Sequence, residues 1–276
     1  MRARLQSAAV RHRFAVSQPL PGWRDALTQV MLWALADLLY EGVRGLVLGH
    51  QSAALANARS LVSLERSLGV FYEQAVQRLV LPSHVAIDLA NWLYANAQFT
   101  VNVAFLAFLY VYRNHVFYFV RNMFFVSMGI ALLVHLSVPV APPRMLPQYG
   151  FVDTIQQVAH VNQDSGAISL FVNPYAAMPS MHMCFALLVG VTGGLLGRSA
   201  WVRVVCSLYP LIVLAAIVVT ANHFFLDALA GAITAVGAAL VAHLLMSRIR
   251  PRQWAWSPAP EAPLASRRRT PADARL

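Results

Sequence analysis

Three short polar stretches interrupt an otherwise oily chain, and each carries residues that can do chemistry: Ala141-Pro142-Pro143-Arg144, Pro179-Ser180-Met181-His182 and Asn222-His223-Phe224-Phe225-Leu226-Asp227. His223 and Asp227 are four apart. On a helix they share a face, so the carboxylate can accept a hydrogen bond from one imidazole nitrogen and leave the other as an attacking lone pair. His182 offers a second imidazole, able to give a proton to a leaving alkoxide. Pro179 and Ser180 are helix-start residues, so Ser180 and the amides from Met181 onward should present unpaired donors and a positive dipole end to an anion. A phosphate would fit there. Arg144 adds a permanent guanidinium whose fork of donors matches phosphate oxygens in pairs.

Taken singly, most of these residues have plain explanations. Ser180 is a simple helix cap, His182 and His223 are interfacial or hydrogen-bonded histidines, and Arg144 is an anchor beside loop prolines. Asp227 resists such a reading, because a carboxylate one turn into an apolar helix is costly unless it is paired. The three stretches gain their meaning together, once the elements that carry them are placed.

Those elements belong in a bilayer. The 276 residues are 58% hydrophobic and 12% charged, with a mean hydropathy of +0.56, whereas soluble domains carry about 25% charged residues. Six stretches are long and apolar enough for membrane helices, at approximately 26–48, 85–110, 116–138, 180–197, 200–219 and 223–246. The first is interrupted by Asp37, Glu41 and Arg44, a polar stripe that faces other helices, water or a functional partner. The expected fold is all-α: a six-helix integral-membrane bundle over 26–249, a basic cytoplasmic segment over 1–25, and a disordered, arginine-rich tail over 250–276. The basic amino-terminal residues precede no short apolar core with a cleavage site, so no removable signal peptide is expected.

Between the first two spans, Leu61, Leu64, Leu68, Phe71, Ala75 and Leu79 recur at steps of three and four. Glu65, Arg66, Glu73, Gln74 and Arg78 occupy the other side. This pattern predicts an amphipathic helix lying in the interface. Cys184 and Cys206 fall in apolar runs and read as packing residues.

All 21 basic residues are arginine, and the formal charge is +10. Six spans place 16 arginines on the side of the termini and 5 on the other, which makes both termini cytoplasmic. The charge spreads over every inner loop instead of forming a patch interleaved with aromatic residues, so nucleic acid is not an expected partner. With this topology all three polar stretches meet one extracytoplasmic boundary of the cytoplasmic membrane, where a lipid's phosphate can be held while its tails stay in the bilayer.

The order Pro-Pro-Arg, Pro-Ser-Xaa-His and His-Xaa-Xaa-Xaa-Asp, together with Asn173 to His182 and Asn222 to Asp227, resembles the type 2 phosphatidic acid phosphatase superfamily of membrane lipid phosphatases and phosphotransferases. The resemblance runs from about residue 60 to 246 and is nearest to the branch that includes inositol phosphorylceramide synthases. It implies a phosphohistidine on His223, orientation of that ring by Asp227, and acid and later base action by His182. It further implies charge stabilisation by Arg144, Ser180 and the amides beginning at Met181, with no metal and no cofactor. Ser137, Met181 and Ile217 stand where the commoner pattern has lysine, glycine and arginine. The cradle therefore keeps one of its three usual cations, which points to the synthase-like branch and leaves donor lipid and acceptor open. Oligomeric state is not legible.

Two other classes compete. A transporter or channel would use the histidines and Asp227 as a proton relay and needs ionisable residues at several depths. An intramembrane serine hydrolase would use Ser180, but a base two residues away on the same turn cannot readily reach its hydroxyl.

Overall fold

A computed structural model describes residues 22–45, 51–154 and 175–249. Residues 1–21, the tail from 250, Asn173 and Pro174, and the side chain of Arg44 lie outside the described residues. Eight α-helices are described: α1 Trp23–Gly45, α2 Gln51–Ser67, α3 Glu73–Val80, α4 His84–Tyr112, α5 Asn114–Ser137, α6 Met181–Leu196, α7 Ala200–Val219 and α8 Phe225–Ile249. Two 3-10 turns, Pro143–Met145 and Pro147–Tyr149, follow α5. The one extended pairing among the described residues is an isolated bridge between Val140 and Ala176.

Each of the six expected spans is a helix, with ends within about three residues of the expected ones. Four of them, α4, α5, α7 and α8 through Leu244, are both long and apolar enough to cross a membrane. Helix α6 is apolar but has only 16 residues, and α1 carries Asp25, Asp37 and Glu41 within its 23. Much of the outer surface is bare Leu, Val, Ile and Phe, including Leu27, Val30 and Leu35 on α1 and Leu208 and Leu211 on α7. Lipid, not water, suits such a surface.

Local chemistry explains the ends. Ser83, Ser180 and Ser199 cap α4, α6 and α7 by accepting the amides of Ala86, Met183 and Val202. Helix α7 ends in a left-handed residue, Ala221 (φ 52°), with Ala221 N bonded to Val218 O and Asn222 N to Ile217 O. This is the paired hydrogen-bond closure usually completed by glycine. It turns the chain abruptly into the His223 segment.

Small residues let the helices that carry the site touch. A Cβ on Gly190 of α6 would lie 2.7 Å from both Cys206 O and Pro210 Cγ of α7, and one on Gly231 of α8 would lie 2.3 Å from Ser180 O. Both cysteines are free and pack within helices, as expected.

Two expectations need correction. The amphipathic segment is two helices, broken at Gly69 (φ 70°), and its two faces do not sort by polarity, since Leu61 is buried while Arg66 and Arg78 are exposed. Glu65, Glu73 and Gln77 are fully buried, while Leu64, Leu68 and Leu79 are exposed. The helical period identifies two faces, but the buried face here is chosen by hydrogen bonds to the protein interior. Arg121, counted with an inner loop, lies inside α5 and is buried, bonded to Asn122 Oδ1 and Gln29 Oε1. Nearby, Asp25 accepts the hydroxyls of Tyr110 and Tyr118 at 3.0 and 2.9 Å. A polar network thus closes the end of the bundle opposite the three motifs.

Candidate active site

The three motifs converge. Arg144 N donates to Ala221 O (2.9 Å), and its Nε to Asn222 Oδ1 (2.9 Å), which ties the Pro-Pro-Arg turn to the residues just before His223. Ser180 N donates to Asp227 O (3.0 Å), joining the start of α6 to the first turn of α8. The rings of His182 and His223 are 5.7 Å apart. All six candidate residues therefore occupy one end of the bundle.

Asp227 does two things from one oxygen. Its Oδ2 accepts Phe224 N (2.9 Å), the reach-back bond of a capping box, and lies 3.6 Å from His223 Nδ1. That separation is longer than a hydrogen bond, but it aims Nδ1 at the carboxylate and so turns Nε2 away from it. His223 Nδ1 and Asp227 Oδ1 are both buried without a hydrogen-bond partner. His223 is 5% exposed and Asp227 0%, so both atoms are withdrawn from bulk solvent.

His182 is held differently. Its Nε2 lies 3.1 Å from Tyr94 O, and a carbonyl only accepts, so Nε2 carries the hydrogen and Nδ1 is the nitrogen that gains and loses a proton. The Tyr94 ring stacks on the imidazole at 4.4 Å and 22°, which fixes the plane of the ring.

Of the expected phosphate cradle, Ser180 is fully buried; its oxygen receives Met183 N (3.4 Å) and its own amide is taken by Asp227. The amide of Met181 is the first of α6 outside that bonding. Arg144 is not a bare cation, since its Nη1 also pairs with Asp153 Oδ2 at 3.2 Å.

Several supporting residues lie outside the motifs. His135 Nδ1 bonds Met178 O (2.9 Å) and its Nε2 meets the Tyr40 hydroxyl (3.2 Å), fixing the approach to Ser180. Val140 pairs with Tyr175 and Ala177 through two backbone bonds of 3.0 Å, linking the first motif to the second. Glu73 Oε1 accepts Phe225 N (2.8 Å) and Glu65 Oε1 accepts Leu226 N (2.9 Å), directly before Asp227. Sequence reasoning missed these acids. A signal was present: Glu73 stands four residues before Gln77 on one helical face, and Glu65 precedes it in the same segment beside membrane helices.

A cavity of about 170 Å³ abuts His182 and is lined by Trp33, Asp37, Gln98, Phe99 and Asn102 among others. Asn102 is buried and its Oδ1 has no hydrogen-bond partner. The polar stripe of α1 thus reaches the site through Asp37.

An apolar helical bundle with two histidines, an aspartate and an arginine gathered at one end has the architecture of an integral-membrane protein with one polar centre. Residues 59–241 match the family model of the PAP2 superfamily, and the chain belongs to that superfamily of phosphatase-type enzymes. No curated protein and no solved structure matches it.

Proposed function

We propose that this protein takes a phosphoryl or substituted phosphoryl group from a lipid phosphate and passes it to water or to an alcohol, such as inositol or a sugar lipid, as in the synthase-like branch. The observation that carries the reading is the convergence of His182 and His223, ring to ring at 5.7 Å, with Asp227 behind one of them. His223 Nε2 attacks phosphorus, and the P–O bond to the leaving alcohol breaks as a phosphohistidine forms. Asp227 faces Nδ1 and stabilises the positive charge that develops on the ring. His182 Nδ1 gives its proton to the departing alkoxide, then takes one from water or an acceptor hydroxyl in the second half-reaction. Arg144 and the Met181 amide meet the charge on the phosphoryl oxygens.

The cavity beside His182 lies on the side of the proton donor. There it would take the alcohol half of the donor or the acceptor, with Asn102 Oδ1 and Asp37 as hydrogen-bond acceptors for hydroxyls. In this reading α1 and α4–α8 all span the cytoplasmic membrane, both termini are cytoplasmic, and the site faces the extracytoplasmic leaflet. A proton-relay transporter is the competing reading, and the family match weighs against it.

The test is to incubate the purified protein with radiolabelled lipid phosphates, trap label on the chain, and repeat with His223→Ala. Acid-labile label that His223→Ala removes is the expected result, with free phosphate, or product formed when an alcohol is added. Label that survives in His223→Ala, or no release and no transfer from any lipid, refutes the reading.

A further inference from the structure

Three carboxylates cap one helix turn. Asp227, Glu73 and Glu65 accept the successive amides of Phe224, Phe225 and Leu226, and all three acids are 0% exposed. Each uses one oxygen, and the other oxygens, Asp227 Oδ1, Glu73 Oε2 and Glu65 Oε2, are buried with no hydrogen-bond partner. A helix amino terminus offers roughly half a positive charge, so it cannot hold three buried negative charges together. Among the described residues no group of His, Cys, Asp and Glu is arranged to hold a metal ion there. A proton is the ligand this arrangement lacks. The acids come from three elements, α2, α3 and α8, so they are not the solvated face of one helix.

We infer that Glu65 and Glu73 share a single proton between their free oxygens and, as a pair, act as positioning residues that lock the first turn of α8 and hold His223 toward His182. The inference rests on the proposed role of His223 for its catalytic consequence. Its structural content stands apart from that role. With one proton shared, the pair carries one negative charge, both amides stay capped, and Asp227 is the carboxylate that faces the imidazole. The charged groups acting on Glu65 are Glu73 from α3 and Asp227 from α8, and burial, then the bond to Glu73, pushes its carboxyl up to about 9. A carboxyl pair that shares one proton is expected wherever two acids are buried side by side.

The full-length chain in nanodiscs provides the test. Its infrared spectrum should show the carbonyl band of a protonated carboxylic acid at neutral pH. That band should disappear in Glu65→Gln and equally in Glu73→Gln, because a glutamine N–H then satisfies an ionised partner. Phosphate transfer supplies a second readout: alanine at either position should lower kcat by about tenfold or more, and glutamine should recover most of the loss, since its carbonyl still caps the amide. The inference is overturned by a band that neither glutamine variant affects, by loss in only one of them, or by glutamine doing no better than alanine. Should alanine variants fail to fold, the infrared comparison of the glutamine variants still decides. The band needs no turnover, so a His223→Ala protein that keeps its activity would remove the catalytic reading and leave the proton-sharing pair to stand or fall by its spectrum.

Discussion

Gly231→Ala places one methyl group where the two helices that carry the candidate site touch, and its consequence can be worked from the structure. The added Cβ would lie 2.3 Å from Ser180 O, with Ser180 C at 3.2 Å and Cys184 N at 3.3 Å behind it. All three are backbone atoms of the α6 start, so no side chain can swing aside. A carbon and a carbonyl oxygen settle no closer than ~3.3 Å, so α8 and α6 must part by about an ångström there. The Ser180 N to Asp227 O bond, now 3.0 Å, then opens toward ~4 Å, beyond hydrogen-bonding reach, and His182 withdraws from His223. A misplacement of ~1 Å in a catalytic constellation costs about a hundredfold in rate, equivalent to ~2.7 kcal/mol in the barrier. Gly237→Ala is the control on the same helix: its nearest neighbour would be Ile130 Cδ1 at 3.8 Å, an ordinary contact. Better helix propensity, worth up to ~1 kcal/mol, should make that variant neutral or more stable. Initial rates of phosphate release and thermal midpoints of both variants in one detergent decide the matter. Activity of Gly231→Ala within about twofold of wild type, with an unchanged midpoint, would refute the claim that this backbone contact sets the distance between the imidazoles.

Stability should depend on pH through Glu65, whose carboxyl rises from its ordinary value of 4.5 to about 9 because it is buried against Glu73. A carboxyl that holds its proton folded and releases it unfolded contributes stability below the unfolded value and loses it as pH climbs through the folded one. The thermal midpoint should therefore fall across that window in the wild type and fall less steeply in Glu65→Gln; identical slopes would contradict the assignment. The rate of phosphate transfer should follow a bell-shaped pH profile, because His223 attacks as neutral imidazole and His182 delivers its proton as imidazolium. A single sigmoid would show that only one histidine titrates in the reaction.

What could be read from the sequence was set by the kind of physics involved. Apolar runs mark membrane-length helices because the bilayer imposes their length, and the starts of α4, α6 and α7 follow from serine caps. The His223 and Asp227 pair is legible because a spacing of four is a statement about geometry within one helix. Burial of Glu65 and Glu73 is not legible in that way. Their helices show two faces, and in a bilayer the apolar face can turn outward, as Leu64, Leu68 and Leu79 do, whenever the polar face has backbone amides to satisfy. Those amides belong to Phe225 and Leu226, 152 and 161 residues away in the chain, and no local period carries that information. The same holds for Asp153, which becomes a partner of Arg144 only because two 3-10 turns fold the chain back beside it. Chemistry confined to one turn was visible in the residues that perform it, whereas the residues that hold that turn in place are defined by unpaired groups elsewhere. A search for such supports in a membrane chain should therefore begin from the open amides at a motif helix's first turn, and ask which distant carboxylate can reach them.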